Sequence, residues 1–327
     1  LHKEYRRQRQ MCIRDRHCSI ILLTYRPLAF AFSFKAKCPE NTILSYDAAA
    51  DSGCDVVETD LHISTDNIIV ISHDSETERV FGKSYNVTQE SYKDTLSKLR
   101  TLREPHLPMP TLNELLKWCR EKSEKTGRNI QLMLDIKKDC DPKLLLKLLL
   151  QDLEEAGPNI EYWHDKLIFG MWDSRYYCKE MDPFRIINIT FDIDVAEKVV
   201  AEIKERGGRV SAVSIFYLIL YNPSLSRKLF NFCVKNDIKI WFWTINLKKE
   251  AIDAVNFCAL PSGESILAGL ITDDPIEASA KRPENLGIMY NANLFVKRHL
   301  YVGFLYLLHN NYNVVPIFTL LKTLGLL

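Results

Sequence analysis

Residues 54–63 read CDVVETDLHI, and the fold assignment starts from this segment. Its valine, leucine and isoleucine residues are interrupted by two acids, Glu58 and Asp60. A short run of this kind is typical of a strand buried on both faces, as in a parallel sheet covered by helices. Residues two apart on a strand face the same side, so the two carboxylates converge. The stretch therefore predicts a buried parallel strand that presents two acids together.

Similar apolar runs recur along the chain, separated by segments with helical periodicity. They lie at 131–136, 167–172, 185–189, 210–216, 240–245 and 269–272. With the first stretch and one strand expected before Pro39, they make eight βα units. Eight alternating units favour a closed (β/α)8 barrel, the TIM-barrel fold of the α/β class, rather than an open sheet. We assign the barrel to residues 29–282.

Segment 68–73 does not fit this alternation. Only residues 64–67 separate it from the strand at 54–63, which is too short a connection for the next parallel strand. We interpret it as an antiparallel hairpin that folds His73 back over the barrel mouth.

Helix start signals occur where the alternation requires them. Thr111 and Glu114 form a capping-box pattern, and Asp141 followed by Pro142 predicts an N-cap with a first-turn proline. The cap of a further helix, which runs to residue 50, is either the asparagine or the threonine at 41–42.

The bulk composition limits the class of protein. The 327 residues are 46% hydrophobic, enough for one large core, and 43 basic against 42 acidic residues leave a formal charge of +1. This balance gives no reason to expect a nucleic-acid partner. The nine cysteines are odd in number, and no two are spaced as CxxC. We therefore expect a reducing, intracellular setting with neither a zinc site nor a disulfide framework.

A second strand repeats the close spacing of charges, because Asp135 and Lys137 stand two apart at its end. In a barrel, functional groups collect at the C-terminal ends of the strands. Together with Glu58 and Asp60 this puts three carboxylates at one mouth, which is costly unless something offsets the charge. A hard divalent cation, Mg²⁺ or Ca²⁺, takes oxygen ligands and would do so. The alternative is that each residue is an ordinary solvated charge at a strand end.

Six short motifs occur in a fixed order along the chain. They read PENT at 39–42, VETD at 57–60, SHD at 72–74, LDIK at 134–137, WTIN at 243–246 and ITDDP at 271–275. Together they resemble the glycerophosphodiester phosphodiesterase family, whose members are metal-dependent phosphodiesterase barrels. Within that family, the LDIK form and an apolar C-terminal tail look most similar to fungal phosphatidylglycerol phospholipase C.

The resemblance implies a role for each of six residues. They are Glu58, Asp60 and Asp135 as ligands of the divalent cation, Lys137 against the substrate phosphate, His73 as one of two catalytic histidines, and Trp243 as a wall against the glycerol or lipid part. The implied reaction is hydrolysis of a glycerophospholipid, with phosphatidylglycerol the preferred substrate, to diacylglycerol and glycerol phosphate. A soluble glycerophosphodiester is the alternative substrate. Without the resemblance, Trp243 and Trp241 would both be core aromatics, and Glu40 is either structural or catalytic.

The chain departs from the family at one place. The family has a His-Arg pair at the end of the first strand, where this chain has Ala31 and Phe32. Neither residue moves a proton or holds a phosphate, so we expect metal binding with activity near background. Either the first strand is corrupted, or the protein is a catalytically impaired lipid-surface protein. His62 shares the strand parity of the acids, but we expect it at the rim.

Both ends lie outside the barrel assignment. Residues 11–16, MCIRDR, resemble translated sequencing-adaptor sequence, so we take 1–28 as a non-native or disordered extension. Residues 283–327 contain two apolar stretches, 300–308 and 316–327, each shorter than the roughly 20 residues that span a bilayer. A basic pair ahead of them suits a segment lying in a membrane or lipid-droplet interface. A terminal helix packed on the barrel is the alternative.

Overall fold

The strands predicted from the apolar runs are present, with helices between them. The computed structural model describes residues 29–31 and 37–275. The strands are β1 Ala29–Ala31, β2 Val56–Ile63, β3 Ile69–Ile71, β4 Gln131–Ile136, β5 Leu167–Met171, β6 Arg185–Thr190, β7 Ala212–Phe216, β8 Lys239–Trp243 and β9 Leu267–Thr272. The α-helices are α1 Ile43–Asp51, α2 Glu78–Phe81, α3 Leu112–Thr126, α4 Pro142–Ala156, α5 Ile193–Glu205, α6 Pro223–Asn236 and α7 Lys248–Cys258. Short 3-10 helices lie at Val87–Gln89, Leu96–Lys98, Glu161–Trp163, Ser174–Tyr176, Lys179–Met181 and Tyr217–Tyr221.

The strands form one sheet in the order β1-β9-β8-β7-β6-β5-β4-β2-β3. Every neighbouring pair is parallel except β2 with β3. β1 and β2, the two ends of the parallel series, lie next to each other, so the eight parallel strands make a TIM-barrel-like fold. The predicted fold class is confirmed at this level, and the strand expected before Pro39 is β1.

Apolar side chains fill the barrel interior at one level, which we call the barrel floor. The floor consists of Val56, Met133, Ile168, Ile187, Ala212, Trp241 and Ile271, each at most 5% exposed. Because alternate residues of a strand face the same side, Glu58 and Asp60 follow Val56 on β2, and Asp135 follows Met133 on β4. The acids therefore lie above the floor, towards the C-terminal ends of the strands.

The predicted hairpin is confirmed, since β3 pairs antiparallel with β2. The connection from β3 to α3 has its own small core around Phe81 and Leu96. The backbone N–H of Ser72, directly after β3, donates to the carbonyl oxygen of Asp60 at 3.2 Å. This bond attaches the start of the His73 loop to the strand that carries the acids.

The predicted helix starts are confirmed as well. The side chain of Thr42 caps α1, and Thr111 and Glu114 form a reciprocal capping box at the start of α3. Asp141 caps α4, and Pro142 occupies its first turn. Each cap stabilises its helix by about 1 kcal/mol and begins the helix just after the preceding loop.

The extension at 1–28 and the tail at 283–327 lie outside the described residues, and both remain predictions. In the part of the chain that the structure describes, no helix combines the length and the apolar character needed to cross a membrane.

Candidate active site

Three buried carboxylates meet above the barrel floor. Glu58 and Asp60 come from β2 and Asp135 from β4, and the strand register places Asp60 beside Asp135. One oxygen from each of the three lies within 4.8 Å of the others. The structure thus brings together the three acids that the sequence singles out, a group that we call the acidic cluster.

Lys137, which follows β4, offsets part of the negative charge of this cluster. Its Nζ lies 2.5 Å from Oδ1 of Asp60 and 2.8 Å from Oδ2 of Asp135. Burial alone would lower the pKa of the ammonium, but the carboxylates of Asp135 and Asp60 outweigh burial and raise that pKa. One fixed positive charge therefore faces three acids.

The pKa values of the three acids reflect their burial and the negative charge that Lys137 does not offset. Burial, then the charges of Asp60 and Asp135, raise the pKa of Glu58 well above its usual range. Burial also raises the pKa of Asp135, while Lys137 holds the pKa of Asp60 low against burial. Oε2 of Glu58 is buried and has no hydrogen-bond partner among the described residues. An all-oxygen donor set with an unsatisfied buried carboxylate oxygen fits a hard divalent cation.

The segment before α1 positions Asp60. Nδ2 of Asn41 donates to Oδ2 of Asp60 at 2.9 Å, and the hydroxyl of Tyr46 donates to Oδ1 of Asn41 at 2.7 Å. Asn41 adopts a left-handed backbone with φ of 53°, which asparagine tolerates better than most residues. Of the two cap candidates, Thr42 caps the helix and Asn41 holds the acid.

His73 lies on the loop after β3 and is oriented by a chain of charges. Its Nδ1 is 2.7 Å from Oδ1 of Asp74, and Nε of Arg79 donates to the other oxygen of Asp74 at 2.5 Å. Both terminal nitrogens of Arg79 bond Glu40, at 2.8 and 2.5 Å. Glu40 therefore acts in this chain of charges, outside the acidic cluster. Burial would raise the pKa of Asp60, but Lys137 and then His73 lower it, so the imidazole is near enough to influence this acid.

Aromatic side chains flank the acidic cluster on the side of β5 to β8. Trp243, at the end of β8, has ring centroids 6.0 Å from Trp172, 4.8 Å from Phe191 and 5.1 Å from Phe216. We call these four residues the aromatic wall. Nε1 of Trp243 is buried without a hydrogen-bond partner among the described residues, and Nε1 of Trp172 donates to Oδ1 of Asp135 at 2.7 Å. The wall and the cluster therefore touch.

The model of the glycerophosphoryl diester phosphodiesterase family matches residues 33–277. The chain belongs to this family. A glycerophosphodiester phosphodiesterase of Caldanaerobacter subterraneus subsp. tengcongensis is 22% identical over 244 residues, which cover 72% of this chain and 89% of the relative.

Solved structures of phosphodiesterases share the fold. One from Silicibacter pomeroyi has a TM-score of 0.61 at 14% identity and covers 79% of this chain and 95% of its own. An Oleispira antarctica phosphodiesterase, in complex with the product sn-glycerol-3-phosphate, has a TM-score of 0.61 at 19% identity and covers 77% and 95%. At these identities the likeness shows the fold alone.

The family match begins just after Phe32, so it does not include the position of the expected His-Arg pair. The backbone of β1 still runs to that position, with Ala31 next to Thr272 of β9. The following residue, Asp273, contributes to the raised pKa of Glu58, after burial and the two nearer acids. The end of β1 therefore lies at the same end of the barrel as the acidic cluster.

The expectation that His62 lies at the rim is wrong. The residue is 2% exposed, and its Nδ1 lies 2.9 Å from Oδ2 of Asp139. The reason is that β2 continues to Ile63 and pairs there with β3, so the strand end is covered. The alternation of side chains along a strand does not predict that β3 covers the end of β2.

Sequence reasoning also missed several residues of the site. Trp172 and Asp273 lie near the acidic cluster, and Arg79 belongs to the chain of charges that orients His73. The sequence patterns assigned no role to any of the three. The only signals available were an aromatic at the end of a strand for Trp172 and the motif ITDDP for Asp273. Nothing in the pattern around Arg79 predicted its bonds to Glu40 and Asp74.

We expect cation binding to release protons, and to weaken as the pH falls. In the cation-free protein the raised pKa values of Glu58 and Asp135 favour the protonated forms, whereas a bound cation requires the carboxylates. Protons and cation therefore compete. Calorimetric titration of Ca²⁺ in two buffers of different ionisation enthalpy, at pH 6 and pH 8, measures the number of protons released.

The sign of the stability effect follows from the same shift. A carboxyl whose folded-state pKa is raised stabilises the fold when protonated, and this contribution is lost as the pH rises through that pKa. The cation-free protein should therefore lose melting temperature on alkalinisation, and Glu58→Gln should reduce this loss. Heats of binding that do not depend on the buffer at either pH would contradict the prediction.

Proposed function

We propose that this chain carries the site of a cation-dependent phosphodiesterase that hydrolyses a glycerophospholipid, with phosphatidylglycerol as substrate and diacylglycerol and glycerol phosphate as products. The observation that carries the proposal is the acidic cluster, whose oxygens lie within 4.8 Å of one another beside Lys137. Family membership supports phosphodiester chemistry. The lipid substrate is supported by the aromatic wall beside the cluster, the LDIK form and the apolar tail.

Each group of residues in the site has a separate role in hydrolysis of the phosphodiester. Glu58, Asp60 and Asp135 would hold a divalent cation, which would withdraw negative charge from the phosphoryl oxygens. The ammonium of Lys137 adds a fixed positive charge at the same place. His73, oriented by Asp74, exchanges a proton with the attacking oxygen or with the leaving oxygen. Water is consumed, one P–O bond breaks, and a phosphomonoester and an alcohol result.

The substrate's alcohol needs a surface of its own, and the aromatic wall supplies it. Trp243 is only partly buried, and it packs against Phe191 and Phe216 behind it. Glycerol or the start of a diacylglycerol would rest on this face. The buried N–H of Trp243 is available for a hydroxyl or ester oxygen, which would give the wall a polar anchor.

Two other functions remain as alternatives, each with its own support. A soluble glycerophosphodiester would give glycerol 3-phosphate and an alcohol, and the product held by the Oleispira antarctica enzyme favours it. A catalytically impaired lipid-surface protein is favoured by Ala31 and Phe32 in place of the His-Arg pair. In the lipid readings the protein acts inside the cell at a membrane or lipid-droplet surface.

Removing residues 283–327 should separate lipid from soluble substrates. The assay uses the Ala31→His/Phe32→Arg double variant, which we call the restored variant, with and without the tail. We expect truncation to reduce hydrolysis of phosphatidylglycerol in vesicles by at least about tenfold, because an interfacial segment concentrates the enzyme at the surface. Hydrolysis of glycerophosphoglycerol in solution should not change.

The outcomes of this assay distinguish the three readings. Turnover of the soluble diester alone, with or without the tail, supports the soluble phosphodiesterase. No turnover of either substrate by a folded restored variant supports the lipid-surface protein, and vesicle flotation then tests its binding directly.

A further inference from the structure

Trp172 connects two parts of the site that the sequence treats separately. Its indole N–H donates to Oδ1 of Asp135 at 2.7 Å, while Lys137 donates to Oδ2 of the same carboxylate at 2.8 Å. Each oxygen of Asp135 thus receives one donor from the protein. A carboxylate oxygen has two lone-pair positions, so each oxygen keeps one for a cation.

Contacts on several sides of the ring fix the direction of this N–H. Trp172 meets Trp243 edge to face, with ring centroids 6.0 Å apart and planes at 70°, and it packs on Phe191 at 5.6 Å. The ammonium of Lys138 lies 5.5 Å from the centroid of the indole. An indole held in this way cannot turn its N–H from Asp135 without disturbing the aromatic wall.

The backbone explains why the indole reaches this acid. In the sheet, Asp135 is paired with Gly170 on β5, and Trp172 stands two residues further along on the same face. Gly170 has no side chain that could stand between them. A Cβ at this position would come within 2.6 Å of the side chain of Ile189.

We propose that Trp172 is a positioning residue of the cation site, which holds Asp135 in its binding orientation through the indole N–H. The inference rests on the proposed function, because it takes the acidic cluster as the cation site. Partners of this kind, which orient a ligand without touching the cation, typically change metal affinity by 10–100-fold when they are removed. The same ring belongs to the wall, so Trp172 would also fix the spacing between the cation and the substrate's alcohol.

The test is a calorimetric Ca²⁺ and Mg²⁺ titration of wild type and Trp172→Phe. Phenylalanine keeps an aromatic ring but lacks the N–H. We expect the Kd for the cation to increase by about tenfold or more. Trp118→Phe is the matched control, because it also removes an indole bonded to an aspartate, Asp47 at 3.1 Å, but on the outer helices. Trp118→Phe should bind the cation as wild type does.

A second comparison separates the N–H from the packing of the wall. Trp243→Phe alters the same wall, but its N–H contacts no acceptor among the described residues. It should leave the cation Kd within about twofold of wild type, since Asp135 keeps its donor. An unchanged Kd in Trp172→Phe, or an equal loss in Trp243→Phe, overturns the proposal while the cation site itself stands. No cation response in wild type would overturn the cation site and the proposal together.

One measurement needs no change at position 172. The indole N–H resonances can be followed by NMR during cation titration, after assignment with Trp→Phe variants at the other tryptophans. The Trp172 resonance should move as the cation binds, whereas those of Trp118 and Trp163, bonded to Asp47 and to the carbonyl of Leu153, should not. A Trp172 resonance that stays in place while the cation binds would contradict the assignment.

Discussion

The restored variant, Ala31→His with Phe32→Arg, is expected to raise glycerophosphodiester turnover by about 10²–10⁴-fold over the chain as written. The physical reason is that proton transfer at the phosphodiester needs a partner for His73. β1 ends with Ala31 beside Thr272, at the end of the barrel where the acidic cluster lies. An imidazole and a guanidinium placed there would supply an acid/base group and a further phosphate donor. The measurement is kcat with glycerophosphoglycerol at saturating Ca²⁺ or Mg²⁺.

Two controls make this result specific. Lys37→His adds an imidazole at an exposed position away from the end of β1, and should give no gain. His73→Ala in the restored variant should return turnover to background. A folded, cation-loaded restored variant with no gain would show that the position was assigned wrongly, or that the site is a binding site only.

The second large effect is expected from Asp60→Ala, which should abolish stabilisation by the cation. Asp60 is fully buried and lies next to Asp135 in the register, with Lys137 on one oxygen and Asn41 on the other. A cation at a concentration of 100 Kd stabilises the wild type by about 2.7 kcal/mol. For a domain of this size that is a rise in melting temperature of about 5–10 °C. Differential scanning calorimetry with and without Ca²⁺ or Mg²⁺ measures it.

Asp66→Ala is the matched control for this experiment. Asp66 is six positions further along the chain and accepts a hydrogen bond from the backbone of Tyr92 at 2.7 Å, outside the acidic cluster. It should keep the response to the cation even where the fold loses stability. Asp60→Asn, which preserves the shape of the side chain, replaces Asp60→Ala if the latter does not fold. An unchanged cation response in either variant would remove Asp60 from the ligand set.

The barrel and the acidic cluster could be predicted because both depend on local periodicity. Glu58 and Asp60 face one way because a strand alternates, and the chain order of βα units makes β4 the parallel neighbour of β2. The hairpin at β3 followed from the length of its connection. Each of these inferences needs only residues close together in sequence or the general rules of parallel sheets.

The contacts that orient the site could not be predicted in this way. The bond from Arg79 to Glu40 joins residues 39 positions apart, and the bond from Trp172 to Asp135 joins residues 37 apart. Such pairs depend on how loops cross the mouth of the barrel, which periodicity does not encode. The surroundings of His62 are a third case, since β3 covers the strand end and Nδ1 of His62 also meets Asp139 on another loop.

The barrel floor limits the end of the barrel through which reactants can reach the acidic cluster. Among the described residues, its seven side chains, none more than 5% exposed, fill the interior below the acidic cluster. Cation, substrate and products would therefore pass through the end of the barrel that carries the cluster. If the substrate is a lipid, this end of the barrel must face the bilayer for the headgroup to enter. The released diacylglycerol would leave through the same end. The protein would then lie on a membrane with the C-terminal ends of its parallel strands towards the bilayer and their N-terminal ends towards water.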